Sequence, residues 1–541
     1  MPPHRTDAPS TLPVAAALAL ALASLALPAF LVRVPTFWDY PNHLVRFWIL
    51  LGHAEGTPVA GMYQPDWSLA WTNIGTDLLA VALGRMLPFD LVGPVLVALA
   101  AVILPLGAIL LNRAVFGGWH AWQVAIVLLA WNFVLVSGLL SFQIALGLAL
   151  LAAALHGQLM RSPRWLRGMA TAVLAALIMV VHLFGLIFYL ALLVALDLGS
   201  RRPALGQPMV RALLFRRMVV SVLACVVPLA VFLLLAPRLP GAHAPAEGGQ
   251  ILGTAISFPP LTVLSHLSIA LTPLKTYALV PDLVTVAVFL ALPLHALYRR
   301  RVQRHAGLLA VGLALFVLSH FMPGDAFGTG LLDKRLPVMS ALMLAAAIRP
   351  QVPGGARGGA IVLAVLLGAV LARSAWIGGI WIVRQDDIRS VEAATAGIAP
   401  GSAVLLAENL TDSAVRRQAP EGRYAQGASI YRHIPTLIVM SRHAFVPTIF
   451  TAAGKQPLKV LPAWADRAVP EGSIPSVDDL DDPAAARGEF HYLKDWRGRF
   501  DYLLLVNADL PNRGIAIDRV PGISLVSDRG FARLYRIDRR P

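Results

Sequence analysis

The chain has 541 residues, 57% of them hydrophobic and 14% charged, with a mean hydropathy of +0.68. Soluble domains carry about 25% charge, so this composition excludes a wholly soluble protein. Cys225 is the only cysteine, which excludes an intrachain disulfide framework and any multi-cysteine zinc site. The net charge of +15 sits in short clusters between apolar runs, a distribution that excludes a nucleic-acid face and instead orients a membrane protein.

Apolar runs approach the roughly twenty residues needed to cross a ~30 Å hydrocarbon layer. They fall near 12–34, 89–112, 119–137, 139–158, 168–182, 184–199, 218–236, 279–298, 305–321, 336–348 and 359–379. The pattern predicts a polytopic α-helical membrane protein of about 11 transmembrane helices. The first run follows Arg5 and looks like a secretory signal. It is longer than the roughly 7–15 apolar residues of such a segment and has no clean A-x-A site, so it reads as a retained helix.

Arg5, Arg113, Arg161, Arg164, Arg167, Arg201, Arg202, Arg211, Arg216, Arg217, Arg299, Arg300, Arg301, Arg304, Arg349 and Arg357 occupy alternate loops. The positive-inside rule makes those loops cytoplasmic. Arg33, Arg46, Arg85, Arg238 and the pair Lys334–Arg335 fall on the other side. The outward loops are then 35–88, the turns near 138 and 183, 237–278 and 322–335. After about residue 380 acids and bases mix, with strand-like runs at Ala403–Ala407, Tyr502–Val506 and Phe531–Ile537. A helical pattern at Gln385–Ala396 is closed by Gly397 and Pro400. The expected division is a membrane domain, 1–380, and a soluble C-terminal periplasmic α/β domain, 381–541. A composition rich in Ala, Leu and Arg suggests a bacterial inner membrane.

The segment Phe37-Trp38-Asp39-Tyr40-Pro41-Asn42-His43-Leu44-Val45-Arg46-Phe47-Trp48 follows the first span. Pro41 fits a first helical turn capped by Asp39 or Tyr40. Asp39, Asn42, His43 and Arg46 then share one face, while Leu44, Phe47, Trp48 and Leu51 share another. This predicts an interfacial helix with a polar stripe toward a cavity and an apolar stripe in the membrane boundary. The plainer reading makes it a connector with Asp39 as N-cap. Asp66 is either a turn residue after Pro65 or a partner of Asp39, the pair holding a divalent cation or raising one carboxylate toward use as a general base. Asp77 reads as structural, paired with Arg85. His182 ends the fifth span, where a histidine needs a cavity or a partner, and Asn132 reads as a hydrogen-bonding tie between helices. Asp333, Lys334 and Arg335 precede an outer helix end. Two cations there break the orientation rule, and a bound phosphate would account for them. There is no Walker A, HExxH, GxSxG or CxxC sequence.

With Asp39 in Trp38-Asp39-Tyr40-Pro41-Asn42-His43 after the first span, the chain resembles the GT-C superfamily of polytopic glycosyltransferases, among them the protein O-mannosyltransferases and the lipid A aminoarabinose transferases. The resemblance covers the layout of the whole chain and the first-loop acid. Many members place two acids side by side; here Asp39 is followed by Tyr40, so metal use and acceptor class stay open. It implies a polyprenyl-phosphate sugar donor and a lipid, glycan or protein acceptor. Lys334, Arg335 and Arg46 would hold the phosphate, with Asn42, His182 and Asp333 also binding substrate. Asp39, assisted by His43 or Asp66, would be the base. The readings set against it are a transporter or flippase of a lipid-linked anion, which would place charges near the bilayer midplane, and a non-catalytic envelope assembly protein.

Overall fold

The computed structural model describes residues 12–199, 208–235, 256–326, 329–352, 354–482, 484–487 and 490–538. Arg5, Arg201, Arg202 and Arg238 lie outside the described residues. The principal helices are α1 (Leu12–Phe30), α2 (Tyr40–Leu50), α3 (Gly75–Gly84), α4 (Phe89–Phe116), α5 (Leu140–Ala154), α6 (Arg164–Val181) and α7 (Leu183–Gly199). They continue with α8 (Pro208–Leu235), α9 (Val263–Leu271), α10 (Leu279–Tyr298), α11 (Ala306–Ser319), α12 (Leu332–Ala346) and α13 (Gly355–Ala394). Among the described residues six helices are long and apolar enough to cross a membrane: α1, α4, α6, Phe215–Leu235 within α8, α10 and α13. The remaining expected spans are shorter. Four lie in the apolar helical stretches Trp122–Val136, α5, α7 and α11, and the last is α12, whose first turns carry Asp333, Lys334 and Arg335.

The bundle has two chemically distinct ends. At one, Asn112 near the end of α4 donates to the carbonyls of Ala346 and Ile348 (3.2 and 2.9 Å), and Arg349 donates to the carbonyl of Phe116 (3.2 Å). Val302–Arg304 pairs antiparallel with Ile348–Pro350 beside them, so arginines expected to be cytoplasmic gather there. At the other end of α4, Gly93 lies against the Tyr40 hydroxyl. The 28 residues of α4 separate the two ends by about 40 Å at 1.5 Å per residue.

Two expectations about elements are revised. The pattern at Gln385–Ala396 is not a separate helix but the end of α13, which runs unbroken for 40 residues. Gly378 of α13 lies against Pro28 of α1, where a Cβ would make ordinary contact at 3.5 Å. The fully buried Trp381 then meets Phe37 and Trp131 edge-on and donates to the Tyr277 hydroxyl (2.9 Å). That packing carries the helix through Gly378–Gly379 despite their low propensity.

The apolar stripe of helix α2, in turn, does not lie in the membrane boundary as expected. Phe47 is buried with Ala80, Val92 and Leu96 of α3 and α4, and Trp48 stacks on His443 from the C-terminal region (6.0 Å). Its apolar stripe therefore faces protein.

The C-terminal region holds the sheet-forming strands expected there, Val404–Glu408, Tyr502–Val506 and Ala532–Ile537, together with Ile523–Asp528. With Tyr63–Pro65 as β1 and Leu458–Val460 as β3, these four are β2, β4, β6 and β5. The sheet order is β2-β4-β6-β5, with β2 parallel to β4 and the other pairs antiparallel. Strand β1, from the first long loop, pairs antiparallel with β3, so that loop and the C-terminal region share a ladder.

Candidate active site

Asp39 occupies the N-cap position of α2, with Pro41 in the first turn, as the sequence predicts. Its φ of −83° and ψ of −12° are already helical, and its carboxylate makes no capping hydrogen bond. The backbone is pinned instead: Trp38 N–H donates to the Val136 carbonyl (3.0 Å) and Asp39 N–H to that of Ser137 (3.2 Å). Gly138 packs so closely that a Cβ there would lie 2.8 Å from the Asp39 nitrogen, and its φ of +88° belongs to glycine. The fold thus fixes Asp39 through its main chain and leaves its carboxylate free of capping.

Around that carboxylate stand basic groups from three parts of the chain. Arg46 and Arg335 are close enough for their charges to act on it, and His433 Nε2 lies 3.7 Å from Oδ1. Asp39 keeps 23% side-chain exposure, whereas His433 keeps 7%, so the acid is the accessible member of a buried set. Crowding by protein pushes its pKa up to about 7, against the pull of Arg335 and then Arg46. A carboxyl tuned near neutrality is suited to general-base work.

The polar stripe on α2 divides its labour. Arg46 is committed to Asp77, with Nε to Oδ1 at 2.7 Å and Nη2 to Oδ2 at 3.2 Å, both side chains buried. This replaces the expected Asp77–Arg85 pair: Arg85 follows α3 in an exposed position, while Arg46 reaches Asp77 from the packed face of α2. Nη2 of Arg46 also meets Nδ1 of His43 at 2.9 Å. Since a guanidinium only donates, that nitrogen of His43 accepts, and burial followed by the Arg46 charge holds the imidazole well below its usual pKa. His43 therefore supports Arg46 in its neutral form. Asn42 is buried and joins the C-terminal region: Nδ2 donates to the Thr448 carbonyl (2.7 Å) and Oδ1 accepts from Phe450 N–H (2.9 Å).

Arg335 extends from α12 to His182 Nε2 (3.2 Å) and the Gly330 carbonyl (3.1 Å), over the rings of Phe184 (4.9 Å) and Phe142 (5.5 Å). Among the described residues no carboxylate lies within 4 Å of it, and Asp39 acts on it from farther away. Lys334 pairs with Asp333 at 2.7 Å. Lys275 is buried over the Phe133 ring (5.2 Å), and its Nζ donates to Ser268 Oγ (2.8 Å). Burial and then the charge of Lys334 lower its pKa to about 8. Arg335, Lys275 and Lys334 thus supply positive charge, with Asp39 acting on Arg335 and Asp282 and Asp333 acting on Lys275, and Arg335 has no carboxylate in direct contact to compete with an anion.

Asp66 is not brought into this set. It caps the turn Trp67–Leu69 by accepting from Ser68 N–H (3.1 Å) and pairs with Lys459 (3.1 Å). The Ser68 hydrogen bond and then Lys459 hold its pKa below the usual value, so it does not form the expected cation-holding pair with Asp39. Among the described residues no three His, Cys, Asp or Glu side chains are grouped to hold a metal. Asn132 does tie segments together, accepting from Val134 N–H, Leu135 N–H and Gln143 Nε2. Sequence reading missed His433, Phe450 and Lys275. No spacing signals them, because the first two arrive from about 400 residues away and Lys275 stands alone in a loop.

No family model matches the chain, and no curated protein sequence matches it. Solved structures similar to it include ArnT from Cupriavidus metallidurans bound to undecaprenyl phosphate, at 13% identity and TM-score 0.49 over 97% of each chain. The same enzyme in the apo state is similar at 11% identity and TM-score 0.43, again over 97% of each chain. Arabinofuranosyltransferase AftD from Mycobacteria is similar at 16% identity and TM-score 0.39, over 98% of this chain and 40% of that one. These neighbours are membrane glycosyltransferases of the GT-C superfamily. All three TM-scores lie below 0.5.

Proposed function

We propose that the protein transfers a sugar from a polyprenyl-phosphate-linked donor to a hydroxyl of a lipid, glycan or protein acceptor at the outer face of a bacterial inner membrane, with residues 381–541 on the periplasmic side. The observation that carries this is Asp39: a carboxylate held by its backbone, released from capping and left accessible among basic side chains. It stands at the bundle end opposite the arginine-rich one, which the positive-inside rule turns outward. The acceptor oxygen attacks the anomeric carbon, its proton passes to Asp39, and the carbon–oxygen bond to phosphate breaks. The departing polyprenyl phosphate carries the negative charge that Arg335, Lys275 and Lys334 would stabilise. A lipid-linked donor needs no nucleotide-binding motif, in keeping with the sequence.

The test is transfer from a panel of radiolabelled polyprenyl-phosphate sugars by the purified protein in lipid, wild type against Asp39→Asn. Asparagine keeps the size of the side chain and removes the base. Transfer by wild type with a loss of at least about a hundredfold in the variant, the usual scale of general-base removal, is the expected result. Full activity in Asp39→Asn removes Asp39 as the base, and no transfer by wild type with any donor and acceptor class overturns the reading.

A further inference from the structure

The amide of Asn42 can be oriented without ambiguity. Phe450 N–H is a donor and the Thr448 carbonyl an acceptor, so the atom facing Phe450 (2.9 Å) is Oδ1 and the atom facing Thr448 (2.7 Å) is Nδ2. The second hydrogen of Nδ2 is then directed to His433 Nδ1 at 3.3 Å. A ring nitrogen that receives a hydrogen bond carries no proton, so in neutral His433 the hydrogen is on Nε2. That is the nitrogen 3.7 Å from Oδ1 of Asp39. Phe450 packs edge-on against His433 (5.1 Å) and His43 (5.9 Å) and fixes the ring plane.

We infer that His433 is a positioning residue for the base: set in one tautomer by Asn42, it offers its Nε2 hydrogen to Oδ1 of Asp39 and leaves Oδ2 to receive the acceptor's proton. This rests on the reading of Asp39 as the base. His433 itself moves no proton, since burial and then the charge of Arg432 hold its pKa down to about 3. The charged and titratable groups acting on Asp39 are Arg335 from α12, Arg46 from α2 and His433; those around His433 are Asp39, Arg432 and His43. Contacts of this kind are commonly long before substrate binds and shorten in the complex. The C-terminal region thereby shapes the base without itself taking the proton.

The experiment compares wild type, His433→Phe, which keeps a ring against Phe450 but removes the donor, and His433→Gln, which restores one. Two profiles are read against pH: the transfer rate, and the difference in melting temperature between each protein and its Asp39→Asn counterpart, which follows Asp39 ionisation without needing activity. In His433→Phe the midpoint of the rate profile and the pH at which the melting difference levels off both move up by about one unit, the size of a hydrogen bond to a charged group, and the rate recovers at high pH. In His433→Gln they return toward wild type. Unmoved pH values in folded His433→Phe, with a rate lowered equally at every pH, overturn the inference and leave His433 as wall. If wild type transfers no sugar the catalytic reading falls, and the melting profiles still decide whether His433 acts on Asp39.

Discussion

At the scale of single residues, the site turns on how each charge is committed. Arg46 and Asp77 are buried together and hydrogen-bonded twice, so Arg46→Ala leaves an unpaired buried carboxylate at a cost of about 3–5 kcal/mol. Thermal unfolding in detergent should show that loss, with Arg85→Ala close to wild type. Asp39 is poised differently. Its folded pKa of about 7 lies above the ordinary 3.8, so its contribution to stability is fully present below about pH 4 and is lost as pH rises through 7. The melting temperature of wild type relative to Asp39→Asn should therefore fall between about pH 4 and pH 7 and level off above that. The transfer rate should climb around pH 7, because only the ionised carboxylate accepts a proton. Asp39 was legible in the sequence because Pro41 marks a helix start and the i, i+3, i+4, i+7 spacing brings Asn42, His43 and Arg46 to its side. Which of these would meet Asp39 and which would be spent elsewhere was not legible, since Asp77 and His433 approach from segments with no local signature.

At the scale of elements, the positions of the helices could be read from hydropathy, and their surroundings could not. The stripe on α2 has the periodicity of a lipid-facing helix, yet α3, α4 and the C-terminal region cover it, because periodicity records that a face is apolar without recording what buries it. The same limit explains α13: a shift from apolar to mixed composition near residue 380 looks like an end, while Trp381, Arg384, Asp387 and Ile388 continue one buried face. The turn at Gly138 makes a sharper claim. A methyl group there collides with the Asp39 backbone, and the left-handed conformation is lost to most side chains. Gly138→Ala should lower transfer at least tenfold while the helix content measured by circular dichroism is retained, since the displacement falls on one peptide unit beside the base.

At the scale of the whole molecule, the bundle and the C-terminal region are interlocked. Asp282 at the start of α10 accepts from Thr276 N–H and Oγ1 (both 2.7 Å), from Arg373 of α13 (3.2 Å) and from Gln426 of the C-terminal region (3.1 Å). Asp282→Leu strands the buried Arg373 and should destabilise by about 3–5 kcal/mol, whereas Gln426→Ala removes one neutral partner and should cost about 1 kcal/mol; unfolding of the two variants in detergent checks the ranking. The composition change near residue 380 was visible in the sequence, but the ladder joining β1 to β3 was not, because its strands are three residues each and lie almost 400 positions apart. That separation has a consequence in time. Asn42 waits for His433 and Phe450, 391 and 408 positions later, and at roughly 5–20 residues per second the ribosome takes about 20 to 80 s to deliver them. During that interval a nascent chain can have inserted its first helices while Asn42 and Asp39 still lack their partners, so biosynthesis itself, rather than a regulator, keeps the site incomplete until the last quarter of the protein emerges.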